Sequence, residues 1–491
     1  MSLAGAKHRL IIDVIKMLFG EPASIIASSI SEFGPCPLGF ISKVTKIPLV
    51  DTKTIILSLY VHGIVTVSQD GPRQYISINS LPALILSAPS ILLEQIDAVY
   101  KKPEYNDVVK TVLLNGIIEI IPNEELRSRK NRHHLTPIQI NATPEFIEAS
   151  NELFKRGLLM RRVIESSTFN TDDVFSLHRR IENINLSKKK TTPTVDPNAS
   201  GASVSAPLEQ AYTLTLNWGS VCSFLRGRYI VQLSQSIFKN NHTELVEGIL
   251  DVTNASDYSQ FQRSMKKNDD DLRGEIVGVP RLEYQRLMAV ISVDKREQLF
   301  DDLDEIAASQ LYLLKPGDGS YWDVTTAKSI RNAQLLYVEA FLEQCISPYH
   351  RRCFNYLRSL GVADTHQVET GALLSEKDAR SSMFTLARLG FAQMQMVPRN
   401  SADKTINTKS IFVWRYDESA VIKAYTTIIG EHARKFLAKI MALHEEYEAN
   451  EQAAVGNLTA TKANEKKEKY LCCYNVAYID ALRVFILFSE M

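Results

Sequence analysis

Leu59-Tyr60-Val61-His62-Gly63 runs without a break into Ile64-Val65-Thr66-Val67. The first five residues close an apolar-periodic helix, in which Ile55, Ile56, Leu59 and Tyr60 share a face. The next four are strand formers. Gly63 separates the two, because glycine takes the left-handed conformation that ends a helix at little cost. A second strand, Gln74-Tyr75-Ile76-Ser77-Ile78, answers the first across the polar turn Gln69-Asp70-Gly71-Pro72.

The same order recurs along the chain. Leu153 to Gly157 leads into Leu158-Leu159-Met160, Ile306 to Gln310 into Leu311-Tyr312-Leu313-Leu314, and Leu386 to Gly390 into Phe391-Ala392-Gln393-Met394. Returning strands follow at Tyr321-Trp322-Asp323-Val324 and Ile411-Phe412-Val413-Trp414, the latter after a polar loop from Pro398 to Lys409. A helix closed by a short β-hairpin is the second half of a winged helix. The expected fold is therefore mainly α with small β wings, an α+β class. It comprises four tandem winged-helix modules followed by a C-terminal antiparallel helical hairpin. Their third helices are predicted near residues 51–62, 143–156, 294–309 and 375–389, with Asp51 capping the first of these. Such an array handles nucleic acid or docks on machinery that does.

The composition shifts divide the chain further. Winged helix 1 is expected over 6–80, an apolar connector over 81–102 and winged helix 2 over 103–165, whose third helix opens at Thr143-Pro144. Residues 185–212 are rich in Ser, Thr, Pro, Ala and Gly and read as a flexible linker. Winged helix 3 is expected over 213–334 with a polar insertion at 257–274, and winged helix 4 over 335–416. The hairpin follows over 417–491, with its second helix from Glu465.

At 491 residues the chain has room for three or more domains. Its 56 basic and 56 acidic residues balance, so nucleic-acid contact has to be local. No uninterrupted apolar run approaches a membrane span. Asp13 and Lys16 break the N-terminal run that superficially suggests a signal peptide. No membrane partner and no small-molecule substrate are expected. The six cysteines do not fall into metal-ligand spacing, and they read as free thiols. Neither a metal nor another cofactor is expected. No Gly-rich phosphate loop, His-Glu-x-x-His or nucleophile elbow is present, so no catalytic residues are predicted.

The candidate site is Arg127-Ser128-Arg129-Lys130-Asn131-Arg132-His133-His134. Its Arg127, Arg129, Lys130 and Arg132 stand without an acid among them, and Arg156, Arg161 and Arg162 are near in sequence. A guanidinium meets phosphate with paired hydrogen bonds. An exposed loop docking on an acidic partner is the alternative reading. Lys188-Lys189-Lys190 reads as a solubilising run before a nuclear-import signal, and Asp269-Asp270-Asp271 as a solvated loop. Arg351-Arg352 reads as a surface pair, and Trp322 and Trp414 as packing between wing and core.

The order and spacing of these parts resemble one family: the largest subunit of the RNA polymerase III-specific heterotrimer, related to the alpha subunit of TFIIE. Met17-Leu18-Phe19-Gly20-Glu21 resembles the family's opening helix end, and Val112-Leu113-Leu114-Asn115-Gly116 its second module. Leu216-Asn217-Trp218 through Phe224-Leu225-Arg226 to Ile249-Leu250 is similar to the start of its third. The resemblance implies a nuclear, non-catalytic subunit that sits on the large polymerase subunits at the clamp with two smaller partners. It also implies work with TFIIIB on promoter DNA during initiation and promoter opening. A winged-helix scaffold of a proteasome-lid or cullin type assembly is the competing reading. Those proteins usually carry one such module after a long helical solenoid. A free sequence-specific regulator is disfavoured because the helix over 51–62 carries one lysine, Lys53.

Overall fold

The computed structural model describes residues 3–70, 73–120, 138–140, 143–163, 212–239, 241–252, 281–283, 287–288, 291, 296, 298–316, 321–398, 410–453 and 458–488. Most of these are helical, and the strands form four small, mainly antiparallel sheets, an α+β arrangement. The chain divides into two compact units. One is His8–Cys222; the other is Met1–Lys7 with Ser223–Met491.

The first unit opens with α1 (Leu3–Phe19), α2 (Glu21–Phe33), α3 (Leu38–Thr45) and α4 (Leu49–Val61). The hairpin of β1 (Val65–Asp70) and β2 (Arg73–Ile78) follows, in register from Val65↔Ile78 to Asp70↔Arg73. Leu10, Val14, Ile26, Ile41, Ile56, Leu59, Ile64 and Ile76 are fully buried and form its core. Cys36 adds a single bridge to Ile76 through two backbone hydrogen bonds of 3.1 and 2.8 Å, which ties the α2–α3 loop to the hairpin. Asp51 does not cap α4. The helix starts behind Pro48, whose fixed φ of −53° leads into it, and Asp51 stands in its first turn. There its carboxylate suits the positive end of the helix dipole.

Next come α5 (Ser80–Ser87) and α6 (Ser90–Tyr100), which bury Leu81, Leu84, Ile85, Ile91, Leu92 and Ile96. α7 (Pro103–Asn115) ends at Gly116 with φ 72°. α8 (Pro144–Lys155) starts as its sequence dictates: Thr143 Oγ1 accepts from the Phe146 N–H and Pro144 occupies the first turn. A four-stranded sheet lies beside them. It holds β3 (Ile118–Ile120), β4 (Ile138–Ile140), β5 (Leu159–Val163) and β6 (Tyr212–Leu216) in the order β4-β3-β6-β5. Residues 212–216, expected at the linker's end and in the third module, lie between β3 and β5 and pair antiparallel with both. They supply the answering strand that the second helix-to-strand step lacks in its local sequence. Nothing nearby in the chain signals this, because the partners of β6 are not its sequence neighbours.

In the second unit α9 (Trp218–Phe238) runs on into a helix over 243–252, here α10. β7 (Arg281–Glu283), α11 (Leu299–Ala308), β8 (Leu314–Pro316) and β9 (Tyr321–Val324) follow, with sheet order β7-β9-β8. Ile230, Val246, Ile249, Leu282, Leu303, Ile306, Leu313, Trp322 and Val324 pack into one core. α12 (Thr326–Phe341) passes through a π-turn at Leu342–Ile346 into α13 (Pro348–Leu360). β10 (Val362–Ala363), α14 (Thr365–Ala372), α15 (Glu376–Leu389), β11 (Gln393–Pro398) and β12 (Ser410–Arg415) complete this stretch, with sheet order β10-β12-β11. Trp414 is buried, donates from Nε1 to Thr365 Oγ1 at 3.1 Å and meets Phe384 edge-on. Arg351 is not a simple surface residue. It pairs with Glu343 at 2.5 Å and Glu339 at 3.5 Å, and Arg358 reaches the same Glu339 at 2.9 Å.

The last two helices are α16 (Glu418–Ala453) and α17 (Leu458–Phe488). α17 starts before the expected Glu465 because its first turns are polar and carry no apolar period. Contacts run in opposite order along the pair: Tyr425 meets Phe488, Phe436 meets Tyr474, and Glu446 meets Lys467. Tyr229 Oη donates to Arg483 O and Gln334 Nε2 to Leu487 O, each at 2.7 Å, fixing the end of α17 to α9 and α12. Lys466–Phe488 is long and apolar enough to cross a membrane, with mean hydropathy 1.6, a property that uninterrupted apolar runs do not register. Tyr478, Leu482 and Phe485 to Phe488 are buried in protein, and about a third of the apolar window is covered in this way.

Gly63 has φ +74°, and a Cβ there would collide with the Trp218 ring. Gly34 has φ +77° with open space around it. With ψ −160° Gly34 stands in a region essentially reserved for glycine, so Gly34→Ala should cost about 1–3 kcal/mol of backbone strain, and Gly63→Ala more through the added collision. The test is a urea melt of both variants, followed by the fluorescence of Trp218 with the other two tryptophans replaced. Equal midpoints would show that the collision is relieved.

Candidate nucleic-acid interface

Arg127, Arg129, Lys130 and Arg132 lie outside the described residues, as do Lys188-Lys189-Lys190 and Asp269-Asp270-Asp271. The frame that carries the first group is described. β3 and β4 are parallel neighbours, paired from Ile118↔Ile138 to Ile120↔Ile140, and β4 is the outer strand. Being parallel, the two strands place Ile120 and Ile138, the described residues on either side of the basic run, at opposite ends of the pair.

Arg156 and Arg161 are described and both touch the C-terminal turns of α8. Arg156 is the C-terminal cap residue, where a cation suits the helix dipole. Its guanidinium lies 5.4 Å from the Tyr100 ring centre, and its Nε faces Glu152 Oε1 at 3.5 Å. Tyr100 in turn stacks on Tyr105 at 4.4 Å and 16°. Arg161 lies over the Phe154 ring at 5.0 Å and donates from Nη2 to Asn151 Oδ1. The two arginines thus occupy adjacent stripes of one helix end, 152/156 and 151/154. The backbone of Arg162 pairs with Thr213 in the β5–β6 ladder.

Sequence reading picks out the arginines and misses Tyr100, Tyr105 and Phe154. Tyr100 and Tyr105 straddle a helix break at Lys101-Lys102, and their stacking is a product of the α6–α7 turn. The signal that marks Phe154 is its 41% exposure on an otherwise amphipathic helix, which only the structure shows. Chemically, the assembly is a positively charged, ring-supported surface. A guanidinium lying on a ring keeps in-plane donors for an anion. Glu152 offsets part of that charge at Arg156.

Among the described residues no group of three or more His, Cys, Asp and Glu is placed to hold a metal ion. None of the six cysteines is in a disulfide. Cys353 is buried, and burial pushes its thiol up to about 11. Burial also raises Cys36. Cys345, Cys472 and Cys473 are exposed.

No family model matches the chain. Over 146 residues, 28% of the chain, it is 26% identical to the DNA-directed RNA polymerase III subunit rpc-3 of Neurospora crassa. The matched stretch spans 23% of that protein's length.

The thiol environments give a direct test. Iodoacetamide at pH 8 should label Cys345, Cys472 and Cys473 within minutes, read by peptide mass spectrometry. Cys353 should stay unlabelled until the protein is unfolded, since about one part in a thousand of a pKa 11 thiol is ionised there. Fast labelling of Cys353 in the folded protein would mean that the α13–α15 packing opens readily.

Proposed function

We propose that this chain is a non-catalytic subunit of DNA-directed RNA polymerase III in the nucleus, acting by binding. The observation that carries the reading is the similarity to the Neurospora polymerase III subunit. The recurrence of a helix leading into a short β-ribbon, at α4, α8, α11 and α15, supports it. In this reading the four steps are winged-helix modules and α16 with α17 is a helical hairpin. The modules and hairpin hold the chain to the large polymerase subunits at the clamp and to two smaller subunits of a heterotrimer. Through them the chain supports engagement of TFIIIB and opening of promoter DNA. Arg127, Arg129, Lys130 and Arg132, with Arg156, Arg161 and Arg162 nearby, contact phosphates of that DNA.

Tagged protein purified from its own cells should bring down the large polymerase III subunits; lid or cullin components in their place would overturn the reading. Deleting the last two helices is a poor test of assembly, because Leu482, Phe485 and Phe488 belong to the core of the second unit. Tyr470 and Val476 are exposed on α17, at 49% and 54%. Tyr470→Asp with Val476→Asp should leave the fold intact and reduce the polymerase recovered. Unchanged recovery would remove this helix face from the assembly surface.

Replacing Arg127, Arg129, Lys130 and Arg132 together by Ala should weaken binding of the polymerase-bound chain to unrelated duplexes about equally. Such side chains, by holding phosphates, position DNA without reading sequence. The log–log salt slope should flatten by roughly 0.9 for each duplex phosphate that is no longer neutralised. An assembled variant with unchanged affinity and slope would assign the basic run to an acidic protein partner.

A further inference from the structure

The last β-hairpin presents a backbone edge that no described strand occupies. β11 is the outer strand of its sheet and pairs only with β12, residue by residue from Gln393↔Arg415 to Pro398↔Ser410, with no bulge. Outer strands are ordinarily protected by a lysine, an internal proline, a bulge or a covering element, because an open edge recruits other strands. From Gln393 to Val397 β11 has no charge and no proline. All five of these residues are exposed.

One face of this ribbon is apolar. Met394 faces Trp414 and Met396 faces Phe412 in the register, so the four side chains share a side of the sheet. Trp414 is supported from below by Phe384 of α15. Phe384 and Phe412 remain 52% and 53% exposed, and Met394 and Met396 are exposed beside them. Methionine makes such a surface adaptable to different side chains. The exposed stripe of α15 on which Phe384 sits also carries Lys377, Arg380 and Arg388. Arg380 is engaged by Glu376 at 2.9 Å. Lys377 and Arg388 have no ion-pair partner among the described residues. An open strand edge, an apolar floor and two uncommitted cations on the stripe of α15 that bears Phe384 define what would fit.

We propose that β11 is a docking edge for an extended acidic–apolar segment of a partner protein, which adds to the sheet as a strand beyond β11. Its main chain takes up the open hydrogen-bonding edge. Alternate apolar side chains lie beside Met394 and Met396, over Phe384 and Phe412. Carboxylates flanking them meet Lys377 and Arg388. Main-chain bonds supply affinity in this mode and the side-chain alternation supplies selectivity. The proposal stands whether or not the partner belongs to a polymerase.

The test uses the full chain and a fluorescein-labelled synthetic peptide, Asp-Glu-Ile-Thr-Val-Thr-Ile-Glu-Asp. Two controls are a scrambled peptide without alternation and a version with Lys at the four acidic positions. The acidic alternating peptide should raise the anisotropy saturably, and both controls should bind about ten-fold or more weakly. Met396→Asp and Arg388→Glu change exposed positions, so both variants should keep the wild-type circular dichroism. Each should weaken the peptide about five-fold or more. Hydrogen exchange at residues 393–397 should slow on binding, a change that a contact made by side chains alone would not produce. Equal binding of the scrambled peptide, no binding at all, or unchanged exchange at β11 would overturn the proposal. Concentration-dependent dimerisation abolished by Met396→Asp, without peptide binding, would overturn it in favour of a second copy of the chain. Duplex DNA binding abolished by Arg388→Glu, again without peptide binding, would overturn it in favour of nucleic acid.

Discussion

Sheets of two to four strands as short as these need a partner for their apolar face to be stable in water. Each must lay one face on helices, and that requirement organises both units of this chain. Ile64 and Ile76 are fully buried beneath the first hairpin. Leu214 and Leu216 do the same for the sheet that β6 completes, Trp322 and Val324 for the next, and Trp414 for the last. In every case the helix immediately before the first strand of the pair supplies the opposing face, with Leu59, Leu153, Ile306 and Leu386 all fully buried. A glycine or a polar residue at the helix end lets the chain turn straight from one packing face to the other. This is why the repeated step is short and why its apolar residues are so closely spaced.

Charge is handled locally throughout. The chain as a whole is neutral, and the more buried ionic groups are paired. Glu339 sits 9% exposed between Arg351, Arg358 and the Asn355 amide. His242 lies 3.2 Å from Glu305. A buried carboxylate stripped of its cations is costly, so such clusters hold their helices in one arrangement. What remains for recognition is the charge at element ends and on strand-bearing edges. Arg156 and Arg161 lie over aromatic rings near one helix end, and Lys377 and Arg388 stand on the exposed stripe of α15 that bears Phe384.

The candidate interface is partly legible in the sequence. Clustered arginines without acids can be read directly, and so can a cap such as Thr143-Pro144, because both depend on residues close together in the chain. The rings beneath Arg156 and Arg161 cannot be read, since Tyr100, Tyr105 and Phe154 come together only when α6, α7 and α8 pack. Three points of the fold escape sequence reading for physical reasons of their own. α4 begins behind Pro48 and not at Asp51, because a fixed φ sets the helix start before any side-chain cap can. The start of α17 is hidden because its first turns hold no apolar period. β6 shares a sheet with β3 and β5, because strand pairing is set by what lies alongside, not by what precedes.

The sequence by itself determined the local alternation of helix and strand, the ends of most helices and the faces that had to be buried. These follow from side-chain period, turn chemistry and glycine's access to positive φ, which act over a few residues. Tertiary structure decided which strands share a sheet, which arginines are already held by rings and carboxylates, and which strand edge no described strand occupies. Those outcomes depend on contacts between residues tens to hundreds of positions apart, and no local pattern encodes them. Tyr212–Leu216 marks the division most clearly: its alternating residues announce a strand, and only the packed sheet reveals that the strand lies between Ile118–Ile120 and Leu159–Val163.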